Sequence, residues 1–439
     1  MFFAKDNGYP MKKYFYRLLA KYLAFYIRSS DEVTEVSPKN KWLLQYLGHP
    51  LAHSITHLPL AQDQLLAKKT AYVVLNGNLH YERDIQAFLT NLQQLCTAQT
   101  RVMVCYYNAL WRPLTHLATR WGFRSHLPEQ NWFSASDLKN FGLLADYEIV
   151  SEQQRILCPI YIPLVSYLLN RWLAPLPLFR WFTLVRIAVL RPLQANRWAQ
   201  PSVSVVVAAR NEAGNIENIV KRLPKMGDHD ELILVEGNSG DDTWEEIKRV
   251  QATYKGKVNI KIAQQPGKGK GDAVRKGFAL ATQDILMILD ADLTVSPEDL
   301  PKFYQAIVHN KGEFINGSRL VYPMENKAMR FFNLLGNKAF AKAFSFLLNQ
   351  RFKDTLCGTK VISRHNYLRL AQHRSFFGDF DPFGDFDLLF GSARLGLKIV
   401  EIPVSYKART YGKTNIKRWS QGFLLLKMVW FAARKIKFI

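Results

Sequence analysis

Apolar positions along this chain fall into two registers: short runs of consecutive branched residues that suit buried strands, and stretches at helical spacing that suit helices packed on a sheet. The first clear run, AYVVLNGN from Ala71, precedes an amphipathic stretch from Asp84 to Cys96. Arg101 to Tyr107 reads as a second strand, and DYEIVSEQQRIL carries the pattern to Leu157. Strands alternating with helices predict a doubly wound α/β sheet. Ahead of it, Met11 to Arg28 reads as a basic, aromatic-rich helix that could cap the first domain or lie at a membrane interface.

Residues 159–200 break the alternation. Pro159, Pro163, Pro175, Pro177 and Pro192 punctuate a stretch rich in Leu, Trp, Phe and Arg, which reads as a connector suited either to a membrane interface or to packing between domains. From Pro201 the strands resume as Val203–Ala209, Leu232–Val235, VNIKIAQQ and DILMILDAD. The expected division is therefore residues 1–158 as a smaller Rossmann-like domain, 159–200 as connector and 201–439 as a second α/β domain.

Bulk properties sharpen this picture. At 439 residues the chain exceeds the size at which one core usually stops growing, and 48% apolar with 22% charged residues excludes a disordered chain. The net charge of +23 favours phosphate-bearing or anionic partners. No nucleic-acid-reading motif accompanies it, so nucleic acid is not an expected partner. Cys96, Cys105, Cys158 and Cys357 form no CxxC pair, which argues against a zinc site or disulfide framework and fits a reducing compartment. No cleavable signal pattern and no apolar run of about 18 residues stand out. The expected location is cytoplasmic, peripheral on the membrane face. His49, His53 and His57 sit at i, i+4, i+8, but Pro50 and the strand or loop context speak against a helical metal site.

The candidate chemistry lies in the second domain. The apolar strand from Asp284 ends in Asp290-Ala291-Asp292, and two carboxylates at i and i+2 at a strand end can share a divalent ion with a diphosphate. Strand Val203–Ala209 opens onto Arg210, Asn211 and Glu212, where an α/β sheet binds a nucleotide. The next strand delivers Glu236, whose carboxylate can hydrogen-bond a base or ribose. Gln265-Pro-Gly-Lys-Gly-Lys-Gly-Asp follows, a glycine loop whose Lys268 and Lys270 can meet phosphate oxygens ahead of a helix holding Asp272. Further on, GDFDPFGDFD concentrates Asp379, Asp381, Asp385 and Asp387. These acids could deprotonate an acceptor, bind a cation or cap a helix at Asp385.

Taken in order, AARNE, VEGNSGDDT, GKGKGDAVRKG, DADL and Asn316-Gly-Ser-Arg319 resemble the family 2 glycosyltransferases of GT-A fold, especially the polyprenyl-phosphate mannosyl- and glucosyltransferases. The resemblance implies an inverting transfer from a UDP- or GDP-sugar to a lipid phosphate or a glycan hydroxyl, with Mg2+ or Mn2+ as cofactor and an anionic membrane surface as partner. It implies that Ala209, Arg210, Asn211, Glu212, Glu236, Lys268, Lys270, Asp272, Ala291 and Arg319 surround the donor, and that Asp290 and Asp292 hold metal and diphosphate. Asp385 would face the acceptor. Asn415-Ile-Lys-Arg-Trp is similar to the family's QxxRW element, which implies catalytic roles for Arg418 and Trp419. Two departures stand out: Glu236-Gly237 replaces a usual acid pair, and Thr294 replaces a further polar neighbour of the metal.

The first domain resembles, in part, class I S-adenosylmethionine-dependent methyltransferases through AYVVLNGNLHYERDIQAFL, TRVMVCYYNALWRPL and LPEQNWFSASDLKNF. Glu35-Val-Ser-Pro-Lys-Asn-Lys stands where a glycine-rich cofactor turn would be. S-adenosylmethionine is accordingly not expected, and the domain reads as a scaffold or partner surface.

Overall fold

The structure, a computed structural model, describes residues 9–56, 58, 70–121, 131–193, 200–322, 331–376, 384–409, 411 and 418–439. The chain divides into two units. The first comprises Met1–Gln194 with the tail Ala433–Ile439, and the second Ala195–Ala432.

The first unit holds β1 (Val33–Val36), β2 (Ala52–Ile55), β3 (Tyr72–Asn76), β4 (Arg101–Tyr107), β5 (Tyr147–Arg155) and β6 (Val185–Pro192) in one sheet of order β2-β1-β3-β4-β6-β5. Strands β2, β1, β3 and β4 are parallel; β6 runs antiparallel to both its neighbours. Val73, Leu75, Val102, Val104, Ala188 and Leu190 of this sheet meet Leu89, Leu92 and Leu138 in one core. The helix Ala135–Leu144 is started by a capping box between Ser134 and Asp137, which satisfies donors that the first turn would leave orphaned.

Here the structure departs from the expected boundaries. The stretch read as connector supplies β6, a central strand whose residues from Ile187 to Pro192 are all buried. Its prolines lie before the strand or at its last position, so they do not interrupt the ladder. The chain's last residues also return to this unit: both Nη atoms of buried Arg155 donate to the carbonyls of Lys437 (2.6 Å) and Ile436 (3.2 Å), and Phe438 stacks on Trp172. Among the expected histidines, His53 lies in β2 with its Nε2 2.9 Å from Thr34 Oγ1. His49 Nε2 donates to the Arg28 carbonyl, and His57 lies outside the described residues.

The second unit is built on β7 (Val203–Ala209), β8 (Glu231–Glu236), β9 (Asn259–Gln264), β10 (Ile285–Ile288), β11 (Phe314–Ser318), β12 (Lys360–Ser363) and β13 (Ile399–Pro403), ordered β13-β11-β12-β10-β7-β8-β9. Strands β10, β7, β8 and β9 are parallel. Strand β12 is antiparallel to β10 and β11, while β13 is parallel to β11. Strands β7, β8 and β10 are almost wholly buried, with helices Ala213–Arg222, Thr243–Thr253 and Lys270–Leu280 between successive parallel strands. Continuous apolar runs are what strands covered on both faces require. The carboxyl ends of β7, β8, β10 and β11 therefore open on one edge, where open α/β sheets bind ligands.

Candidate active site

The loops after β7 and β8 are tied to each other. Asn211 adopts φ +56°, a conformation that Asn tolerates better than most side chains. Its amide nitrogen donates to Ser239 Oγ at 3.1 Å and its Oδ1 accepts from Gly240 N at 2.8 Å. Glu236, buried at the end of β8, accepts from Ser239 N at 2.5 Å and Gln264 Nε2 at 3.1 Å. The expected nucleoside-side residues are thus brought together. Within the group Glu236 shapes the loop, and Arg210, directly after Ala209, is exposed at the edge.

The glycine loop ends where Gly269, at φ +89°, begins the helix Lys270–Leu280. Gly267 N donates to Asp272 Oδ2 at 2.8 Å, so Asp272 closes the loop on itself, while Lys268 is exposed. Lys270 Nζ reaches Asp290 Oδ1 at 2.6 Å. Burial works against ionisation of Asp290, but Lys270, backed by Lys360 and Arg319, holds its carboxyl below the usual carboxylate range. Gly358 lies directly against this pair: a Cβ at that position would overlap both Asp290 carboxylate oxygens and Lys270 Nζ.

Asp292, two residues on, is held differently. Its Oδ1 accepts from Thr294 N (3.1 Å) and Thr294 Oγ1 (2.7 Å), and its Oδ2 meets Arg409 Nη2 at 2.7 Å. The same guanidinium bonds Glu212 Oε1 at 2.9 Å through Nη1, which joins the loops after β7 and β10 through a residue from beyond β13. Burial pushes the Glu212 carboxyl up, and Arg409 and Asn215 offset only part of that. Thr294, the departure noted in the sequence, is therefore a donor that orients Asp292.

Two hard carboxylates, each drawing a cationic side chain, form a donor set that suits Mg2+ or Mn2+ when diphosphate oxygens and water complete the shell. Among the described residues no group of three or more His, Cys, Asp or Glu could hold a metal by itself, and in such a site the further ligands would be nucleotide oxygens and water.

Arg319, expected to face phosphate, is instead claimed by Asp354. Nε and Nη2 bond its two oxygens at 2.7 and 2.9 Å, and the Arg319 amide donates to it as well. Asp354 is fully buried, so this bidentate pair fixes the end of β11, with Tyr406 stacked near the guanidinium. A cleft of about 280 Å3 opens at the ends of β11 and β13, lined by Ser318, Val321, Arg351, Lys353, Glu401 and Pro403.

Asp385 begins the helix Asp385–Arg394. The preceding Gly384, at φ +72°, is so close to Gly271 that a Cβ would stand 2.7 Å from its Cα, which brings the start of this helix beside the Lys270 turn. Asp387 is committed to Arg374 and Arg275 at 3.3 and 3.7 Å. Asp379 and Asp381, like Asn415, lie outside the described residues, and so do the side chains of Asp385, Arg418 and Trp419. The helix Arg418–Ala432 does start at the expected Arg-Trp pair.

Sequence reasoning assigned no role to Arg409, Asp354, Gly358 or the buried Lys360. A weak signal existed for the glycine: Cys357-Gly-Thr immediately precedes a strand that pairs with β10.

The glycosyl transferase family 2 model matches residues 204–368. A dolichol-phosphate mannosyltransferase of Pyrococcus furiosus is 28% identical over 49% of this chain and 59% of its own length. A dolichyl-phosphate hexose transferase of Haloferax volcanii is 26% identical over 52% of this chain and 92% of its own. The chain thus spans little more than half of the first of these relatives. A glucosyl-3-phosphoglycerate synthase from Mycobacterium tuberculosis, solved with Mn2+, uridine diphosphate and glucosyl-3-phosphoglycerate, aligns with 56% of this chain and 83% of its own at 17% identity and a TM-score of 0.38. The ordered motifs are gathered on one sheet edge, and residues 204–368, from β7 past β12, form a glycosyl transferase family 2 domain within the second unit.

Proposed function

We propose that the second unit transfers a sugar, with inversion, from a UDP- or GDP-sugar to a polyprenyl phosphate. The observation that carries this reading is the pair Asp290 and Asp292 at the carboxyl edge of β10, each in contact with a basic side chain, Lys270 and Arg409, drawn from a different loop. Both relatives named above are by name lipid-phosphate transferases, which supports the acceptor class.

In this reading Asn211, Glu212 and Glu236 hold the nucleoside through the interlocked loops. Mg2+ or Mn2+, when bound at Asp290 and Asp292, would neutralise charge developing on the departing diphosphate. Lys270 and Arg409 then turn from carboxylate to phosphate oxygens, so the site is not left with unpaired cations. Arg351 and Lys353, in the cleft on the same strand edge, offer positive charge to an acceptor phosphate. A phosphate oxygen is already ionised and needs no general base, which leaves Asp385 to orient the acceptor. If a hydroxyl were the acceptor, Asp385 would serve as base.

The test is release of nucleoside diphosphate from a panel of UDP- and GDP-sugars with Mn2+ or Mg2+, with and without a polyprenyl phosphate. One sugar nucleotide is expected to turn over, faster with the lipid phosphate and not at all with chelator. Turnover that ignores the lipid phosphate but responds to a glycan hydroxyl would replace the acceptor. No turnover with any donor would reject the reading.

A further inference from the structure

Two segments of the first unit are built inside out. From Leu110 the positions i, i+4, i+7 and i+11 are Leu110, Leu114, Leu117 and Trp121, a single helical stripe, and all four are 37–64% exposed, while Thr115 on the same helix is buried. The second segment repeats the inversion. In the helical turns from Val165 to Leu173 the buried positions include Ser166 and Asn170, whereas Leu164, Leu168 and Trp172 face outward.

The polar side chains are fully used inside. Asn170 accepts from Cys158 N at 2.8 Å and donates to Cys158 O and to Tyr14 Oη. Ser166 Oγ donates to Ile162 O and accepts from Ile162 N. Leu164 is held at φ +62° with 78% of its surface exposed, a strained conformation for a bulky side chain. Leu178 and Trp181 continue the surface at 73% and 63%. The first segment adjoins this continuation, because Asn108 Nδ2 donates to the carbonyls of Trp181 and Thr183 and Trp111 Nε1 donates to Phe182 O.

Charge selects the occupant. Residues 109–121 and 158–184 contain Arg112, Arg120, Arg171 and Arg180 and no aspartate or glutamate. Arg171 lies over the rings of Tyr167 and Trp172 at 5.4 and 5.7 Å. Exposed Leu, Trp, Tyr and Phe interleaved with arginine alone match the boundary of an anionic bilayer, where aromatic rings sit at headgroup level and cations meet lipid phosphates. Among the described residues no helix is long and apolar enough to cross a membrane, which fits a surface that lies on the bilayer. We propose that this face of the first unit is a docking surface for anionic phospholipid membranes, with Leu164, Leu178 and Trp181 inserting and the four arginines holding the headgroups. Membrane binding by the first unit holds or fails independently of sugar transfer by the second.

The test is flotation of the full chain with vesicles of phosphatidylcholine and phosphatidylglycerol, and with phosphatidylcholine alone. Binding is expected to the mixed vesicles, weaker to the neutral ones and weakened by salt. The variant Leu164→Asp/Leu178→Asp/Trp181→Asp changes only exposed positions; it is expected to bind at least about tenfold more weakly with an unchanged melting temperature. Arg112→Gln/Arg180→Gln is expected to lose the preference for phosphatidylglycerol, and it remains informative if the triple variant misfolds. Equal binding by wild type and both variants, no binding by wild type, or concentration-dependent dimerisation abolished by the triple variant without vesicle binding would each overturn the membrane assignment.

Discussion

Replacing Asp290 or Asp292 by Asn is expected to lower sugar transfer by roughly 10²–10³-fold, about 3–4 kcal/mol of transition-state stabilisation, with little change in melting temperature. Each substitution preserves shape and removes the charge that would meet a divalent ion. Asn at 290 leaves the Lys270 ammonium, whose side chain is 29% exposed, able to recover hydration. Asn at 292 leaves Arg409 with its second partner, Glu212. Steady-state rates at saturating donor, with metal titrated in each variant, provide the check. Activity within threefold of wild type (a difference under about 1 kcal/mol) would remove these carboxylates from the chemistry.

The largest expected effect on stability lies at Asp354. Its carboxylate is fully buried and takes two guanidinium bonds from Arg319 together with the backbone amides of Arg319 and Leu356. Asp354→Ala would leave the guanidinium buried without its counter-charge, which costs about 3–5 kcal/mol and should lower the melting temperature of the second unit by about 10 °C. Arg319→Met strands the carboxylate instead, and the double variant should lose less than the sum of the two. Additive losses by denaturant titration would show that the pair is not coupled.

The pH dependence follows from the same pair. Burial would raise the Asp354 carboxyl, but Arg319 and the backbone donors hold it below the ordinary value. Its contribution to stability is therefore present above the unfolded-state pKa of about 4 and is lost as pH falls below it.

What could be read from the sequence was local. Strands β4 and β7 coincide with the apolar runs read there, residue for residue, because continuous branched residues bounded by polar turns leave little choice of register. The ordered motifs place Asn211, Glu212, Glu236, Lys270, Asp290 and Asp292 on one edge because each ends or follows a parallel strand. Partnerships across long stretches of chain left no such mark. Arg409 reaches Asp292 over 117 positions and Glu212 over 197, and nothing in a run of basic residues near the C-terminus singles it out.

Arg319 shows how a motif leaves a side chain's structural partner unseen. Its motif implies a phosphate partner, while Asp354, 35 positions on, takes two of its three guanidinium nitrogens, Nε and Nη2. Strand β6 was hidden by the prolines around it and by its separation from the other strands of its sheet. The inverted polarity of residues 164–172 is visible only once Ser166 and Asn170 are seen to face inward.

The most direct test of the site is calorimetric titration of UDP and of GDP into the full chain, with Mn2+ and again with chelator. One nucleoside diphosphate is expected to bind with a single site per chain, at least about tenfold more weakly without the ion or in Asp292→Asn, since diphosphate and carboxylates share it. Binding of equal strength with and without metal, in wild type and variant alike, would contradict a metal-dependent diphosphate site at Asp290 and Asp292.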